Sequence, residues 1–191
     1  MLLHQPSDAA VKRFLDAQSK LPFSYAEVGA SRHLTPLAGY PINHYRGKLG
    51  TGRETFDQAV AALRSWEMYN LSWTKLYWPD TPLKTGEVVA VRARHLGLWS
   101  LNACRIIYTL EEEGERCRNG FAFGTLPGHV EEGEERFTVE WERHSDAVWY
   151  ELFAFARPKA LLAQLGYPLT RLIQRRFARS SFGAMKRACQ F

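Results

Sequence analysis

Acidic residues stop at Glu151, so the last forty of the 191 residues hold eight arginines and lysines and no side-chain carboxylate. The chain also has few cysteines, no long apolar run and none of the common nucleotide or hydrolase signatures. Each absence removes a class of protein. Cys104, Cys117 and Cys189 are odd in number and far apart. They form neither a disulfide framework nor a CxxC-type zinc site, and they fit a reducing cytosol better than secretion. The opening residues, MLLHQPSDAAVKRF, contain no signal-peptide core, and no apolar run approaches the ~18 residues of a spanning helix. A cytoplasmic, soluble protein is expected. There is no P-loop, no G-x-G-x-x-G after a strand, no H-E-x-x-H and no G-x-S-x-G. P-loop hydrolases, dinucleotide oxidoreductases, zincins and α/β-hydrolases are thereby set aside. No repeat, low-complexity run or linker divides the chain.

What is present is aromatic. Six Trp, eight Tyr and eleven Phe make 13% of the residues, enough to fill a heavy core or line a ligand cavity. The net charge of +5 is unevenly placed: residues 152–191 carry +8 and residues 1–151 carry −3. A basic C-terminal element suits an anionic surface, a nucleic acid or an acidic partner, but equally a cationic face that only meets water. No nucleic-acid motif accompanies it, and only Phe177 and Phe182 interleave with the bases.

Hydrophobic period orders the chain. Ser7-Asp8 caps a helix over Ala9–Ser19, with Val11, Phe14 and Leu15 on one face. Leu21–Gly29 reads as a strand. Residues 30–52, with four glycines and two prolines, read as a loop holding at most one extended piece, Ile42–Arg46. Thr51-Gly-Arg-Glu54 is a capping box, opening a helix to about Met68 with Phe56, Ala59, Val60, Leu63 and Trp66 inward. From Glu87 the period becomes two. Val88–Leu96, Trp99–Leu110, Gly120–Leu126, Glu135–Glu142 and Ala147–Phe155 are strands joined by short turns at Gly97, Glu113-Gly114-Glu115 and His144-Ser145-Asp146. Strands in succession without helices between them make an antiparallel sheet. In Glu135–Glu142 the alternation sets Phe137, Val139 and Trp141 against Arg136, Thr138, Glu140 and Glu142, which predicts one wet face. A helical turn or two is expected over 159–165. A long helix then runs from Pro168 to about Cys189, with an apolar stripe including Leu169, Leu172, Ile173 and Phe177 and a basic stripe of Arg171, Arg175 and Arg179. The predicted fold is α+β: a curved antiparallel sheet gripping a long C-terminal helix, with a cavity between them. Residues 1–20 are a helical extension and 21–191 a single domain.

The stretch Gly120–Phe137, GFAFGTLPGHVEEGEERF, concentrates chemistry. One imidazole, His129, and four carboxylates, Glu131, Glu132, Glu134 and Glu135, cluster at a hairpin mouth. A histidine held by a carboxylate is an acid or base near neutral pH, and the same groups suit a divalent cation; the plainer reading is a solvated loop whose charges discourage edge pairing. Within HLGLWSLNACR (His95–Arg105), Asn102, Cys104 and Arg105 are polar groups in an otherwise apolar strand, placed there for structure or for a ligand. Cys104 suits a small buried hydrophobe better than a nucleophile. Trp66, Trp73, Trp78 and Trp99 are expected in the core or in a pocket wall, and Tyr25, His44, Tyr45 and Arg46 in packing or at a cavity rim.

Five stretches carry a resemblance: FSYAEVGA (Phe23–Ala30), LGTGRETFDQAVAALRSWEM (Leu49–Met68), LWSLNACRIIY (Leu98–Tyr108), GFAFGTLPGHVEEGEERFTVEW (Gly120–Trp141) and FARPKALLAQLGYPLTRLIQRRF (Phe155–Phe177). Together they resemble an uncharacterised bacterial and plant family, domain of unknown function nineteen-ninety. Its element order is similar to the START-like helix-grip superfamily. The resemblance implies a hydrophobic cavity for apolar small molecules, and a Tyr where this chain has Phe123.

Binding of an apolar or amphipathic small molecule is therefore expected, with Tyr25, Asn102, Arg105, Tyr108, Thr125, His129 and Glu135 as polar groups at the cavity or its mouth. The alternative is an enzyme in which His129 is the acid or base, Glu134 or Glu135 orients it, and Asn102 or Arg105 stabilises developing negative charge. An imidazole within ~3 Å of a carboxylate inside the cavity would favour the enzyme. A third reading uses the basic C-terminal helix as an adaptor to a nucleic acid or an anionic membrane surface. No metal and no cofactor is implied. A homodimer through an exposed edge strand is compatible with the pattern.

Overall fold

The computed structural model describes residues 3–95, 97–159 and 167–190. Strands β1 (Ile42–Thr51), β2 (Thr74–Tyr77), β3 (Val88–His95), β4 (Leu98–Glu112), β5 (Arg116–Thr125), β6 (Glu131–Glu142) and β7 (Ala147–Pro158) form one curled antiparallel sheet. Their order is β1-β7-β6-β5-β4-β3-β2, so from β2 to β7 each strand pairs with its sequence neighbour. Helices α2 (Gly52–Arg64) and α3 (Tyr167–Ala188) cover the concave face, while α1 (Asp8–Gln18) packs on the convex face against β3 and β4.

The alternation of each strand decides what meets the helices. Along β6, Phe137 and Val139 point inward and join Phe121 of β5, Tyr150 of β7, Leu63 of α2 and Met185 of α3 in the main core. Tyr150 is fully buried, and its hydroxyl lies 2.5 Å from Ser181 Oγ of α3, which ties helix to sheet. On the convex side Val11 and Leu15 of α1 meet Ala90, Ala103 and Leu126 in a smaller core.

Six expectations are corrected. Leu21–Gly29 is not a strand: its one backbone ladder contact is Ser24 N–H to the Thr125 carbonyl, and its rings dock on the sheet instead. The glycine-rich 42–51 segment is a ten-residue strand, and the short β2 was not anticipated. Gly47 belongs in that strand because a Cβ there would stand 2.5 Å from the Phe182 ring of α3. Thr51 makes no side-chain cap; Thr55 Oγ1 instead donates to the Thr51 carbonyl at 2.7 Å. On α3, Leu172 is 63% exposed, and Arg171 turns from the basic stripe to donate to the Ile42 carbonyl at 2.7 Å. Finally, the polar face of β6 is not simply wet. Glu140 is 4% exposed, Arg136 6% and Thr138 1%. Arg46 (2.8 Å) and Arg118 (2.5 Å) clamp Glu140, and His44 reaches Glu151 at 2.9 Å. Crossing arginines thus roof the convex face of β1, β7, β6 and β5. The helical turn expected at 159–165 lies almost wholly outside the described residues.

Candidate functional site

A cavity of about 780 Å³ lies between the concave sheet and the N-terminal half of α3. That volume falls in the range of small-molecule pockets. Its wall is mainly apolar and aromatic, with Phe123 from β5, Phe177 from α3, and Tyr69 and Trp73 from the segment after α2. The rings touch one another: Tyr69 lies 5.1 Å from Phe177 and 6.3 Å from Phe123, and Trp73 lies 6.1 Å from Phe177. Tyr69 is placed by a single 3-10 turn, Glu67–Tyr69, which follows a left-handed residue, Trp66.

The two carboxyl groups that enter the cavity come from β6. Because Phe137 and Val139 face inward, so do Glu135 and Glu131. Tyr69 Oη donates to Glu135 Oε2 at 3.1 Å. Burial raises the Glu135 carboxyl to about 8, the Tyr69 bond opposes this, and Glu131 adds to it. Its residual accessibility opens onto the cavity that it lines. Glu131 is likewise raised by burial, against Gln174 Nε2, which donates to Oε1 at 2.7 Å, and against Arg171. His129 Nδ1 lies 2.9 Å from the Glu131 backbone nitrogen and 3.1 Å from the Glu131 carbonyl oxygen, so the ring is held by the backbone of the strand's first residue. Burial, with help from Lys159, lowers its pKa to about 3, so the ring is neutral. The Cys104 thiol is pushed up by burial and stays protonated.

The expected site residues therefore divide. His129, Glu135, Asn102 and Thr125 line the cavity. Of these, Asn102 is engaged by the fold, donating to the Val91 carbonyl at 3.1 Å and to Ser100 Oγ at 3.0 Å. Thr125 Oγ1 accepts from Gly133 N–H at 3.0 Å and meets Ser24 Oγ at 2.7 Å.

Four others lie on the convex side. The Glu134 carboxylate is one residue out of phase with Glu135. It accepts from Tyr25 Oη (2.8 Å), from Ser31 N–H (3.0 Å) and from Gly29 N–H. Tyr25 reaches it across Gly124, where a Cβ would stand 2.2 Å from the Tyr25 oxygen. Arg105 donates to the Ser19 and Leu21 carbonyls at 2.7 and 3.0 Å and closes the end of α1. Tyr108 shares parity with Asn102 and Cys104 in the sequence, but a bulge between Ile106 and Tyr108 reverses it. Its hydroxyl meets Ser31 Oγ at 2.8 Å on the outside.

The expected pairing of His129 with Glu134 is therefore not assembled. Among the described residues no carboxylate is bonded to the imidazole, and no three His, Cys, Asp or Glu side chains converge as a metal site requires. Sequence reasoning did not single out Tyr69 or Gln174, which reach β6 from distant elements and carry no local pattern. Glu131 was visible only as one of four clustered acids.

Relatives match this chain along most of their length. A UPF0548 protein of Dictyostelium discoideum is 35% identical over 96% of this chain and 93% of its own. Another, from Deinococcus radiodurans, is 34% identical over 93% of each. Among solved structures, TTHA0849 from Thermus thermophilus superposes with a TM-score of 0.54. That match covers 78% of this chain and 97% of its own at 12% identity, which speaks to fold alone. The curled antiparallel sheet around a C-terminal helix is a helix-grip fold. Residues 24–184 match the family described as Domain of unknown function (DUF1990), and the chain belongs to that family.

Proposed function

We propose that this protein binds an apolar or amphipathic small molecule in the cavity between the sheet and α3. The observation that carries the reading is the cavity itself: about 780 Å³ walled largely by aromatic and aliphatic side chains, with two carboxyl groups entering from one strand and a few other polar groups around them. An apolar void of this size is costly to leave unfilled, and its sparse polar groups are what fix a ligand's orientation. No helix among the described residues is long and apolar enough to cross a membrane. The test uses a neutral fluorescent probe, N-phenyl-1-naphthylamine, with the full chain. Wild type is expected to bind it at micromolar concentration. Ala154→Trp, which places an indole in the cavity from β7, is expected to weaken binding roughly tenfold or more while unfolding stays cooperative. Unchanged probe binding in the filled variant would refute the cavity as the site.

A further inference from the structure

The cavity has an electrostatic bias that bears on which ligand it takes, given the small-molecule reading above. Two carboxyl groups, Glu131 and Glu135, enter it from the same face of β6. Among the described lining residues Lys159 is the single lysine or arginine, and its Nζ donates to the Leu126 and Pro127 carbonyls at 3.3 and 3.1 Å. Arg171 is likewise committed, to the Ile42 carbonyl and to Gln174 Oε1 at 2.8 Å. His129 is held neutral by burial, and the Tyr69 hydroxyl and Cys104 thiol keep their protons. Two acids thus face a ring-lined space with no uncommitted cation opposite them.

A carboxylate-headed ligand, such as a fatty acid, finds there only Lys159, already engaged by two backbone carbonyls, and two acids that cannot serve as its counter-ion. An ammonium meets a carboxylate and the aromatic rings of Tyr69, Phe123 and Phe177, which attract cations, beside Trp73, whose ring already carries the Arg176 guanidinium at 5.1 Å. We propose that the ligands of this cavity are amphipathic amines, with the ammonium on Glu135 and the apolar body along the aromatic wall. The empty site keeps Glu135 protonated at neutral pH, because burial disfavours its charge. An arriving ammonium removes that penalty, so the carboxyl proton leaves to solvent as the ion pair forms. Binding near pH 7 is therefore coupled to release of about one proton.

The test compares decylamine, decanol and decanoate by titration calorimetry on the full chain at pH 7. Decylamine is expected to bind about tenfold tighter than decanol, and decanoate weaker than both. Glu135→Gln is expected to reduce decylamine to the level of decanol while leaving decanol within about twofold. In wild type, decylamine affinity is expected to rise from pH 6 to pH 8 with decanol flat, a measurement that needs no variant. Decanol binding without an amine preference, or a preference that survives Glu135→Gln, would overturn the amine assignment and leave the cavity reading intact. Failure of all three ligands to bind would overturn both.

Discussion

Replacing Glu135 with glutamine should change how stability depends on pH, in a direction that the cavity geometry dictates. Glu135 titrates at an ordinary 4.5 when unfolded and at about 8 in the fold, where burial disfavours the anion. Between those values the folded protein holds a proton that the unfolded chain has lost. The contribution is thus fully present below pH 4.5 and is lost as pH rises through 8, by about 1.4 kcal/mol per pH unit. From pH 5 to pH 8 the loss reaches about 4 kcal/mol, and water admitted to the cavity lowers the figure without changing its sign. His129 works the other way. Its folded pKa of about 3 lies below the ordinary 6.5, so stability falls as pH drops from 6.5 toward 3. Between pH 4.5 and 6.5 the two slopes oppose each other, and wild type should be nearly level there. Urea unfolding followed by tryptophan fluorescence from pH 5 to pH 8 measures this directly. Glu135→Gln keeps an acceptor for Tyr69 and removes the proton. Relative to wild type, the variant should gain stability steadily as pH rises. Parallel profiles for the two proteins would show that Glu135 is not held in a dry cavity, and the reasoning would fail.

Other substitutions test the frame around the cavity. Glu134→Ala strands the Tyr25 hydroxyl and the Gly29 and Ser31 amides, and should cost about 3 kcal/mol or more in urea unfolding, with faster amide exchange over residues 24–34. Gly133→Ala should abolish folding or cost more than about 3 kcal/mol, because the new Cβ would stand 1.9 Å from the Phe155 carbonyl at a φ of +143°. Gly86→Ala has open space around it and bears only the backbone strain of φ +96°, so a smaller loss, about 1–2 kcal/mol, is the matched control. Tyr150→Phe removes the partner of the buried Ser181 hydroxyl and should cost about 1–2 kcal/mol, read as a lower urea midpoint with an unchanged slope.

Much of this fold was legible because sheet residues advertise their side by alternation. The five strands after Glu87 and the helix after Pro168 follow from period two and period 3.6, and their observed bounds differ by a few residues. The same parity also separates Glu135 from Glu134: Glu135 shares phase with Phe137 and Val139, and Glu134 with Arg136. Reading the four acids as one cluster hid that signal. What could not be read depends on contacts distant in sequence. The glycines of β1 look like loop residues until Phe182 of α3 is seen lying on Gly47. The bulge that turns Tyr108 outward leaves no mark in its neighbours. Tyr69 and Gln174 meet Glu135 and Glu131 only after the sheet has curled beneath two helices.

One strand, β6, therefore runs two electrostatic regimes a single residue apart. Its outer acids are buried, but they are answered. Burial would raise Glu140, yet Arg118 and Arg46 outweigh it and hold the carboxylate below its usual range. Its inner acids, half-buried at the cavity wall, touch no cation among the described residues, and desolvation raises both. An acid needed only for stability gains nothing from the second environment, because apolar replacement of an uncompensated buried carboxyl usually stabilises a protein. Both inner acids open onto the apolar cavity between sheet and helix, where a bound cation would supply the missing charge. Convex and concave faces thus divide the work. Paired arginines on the outside hold the sheet together, and the acids within, hydrogen-bonded but with no cation in contact among the described residues, are left for a ligand of opposite charge to answer.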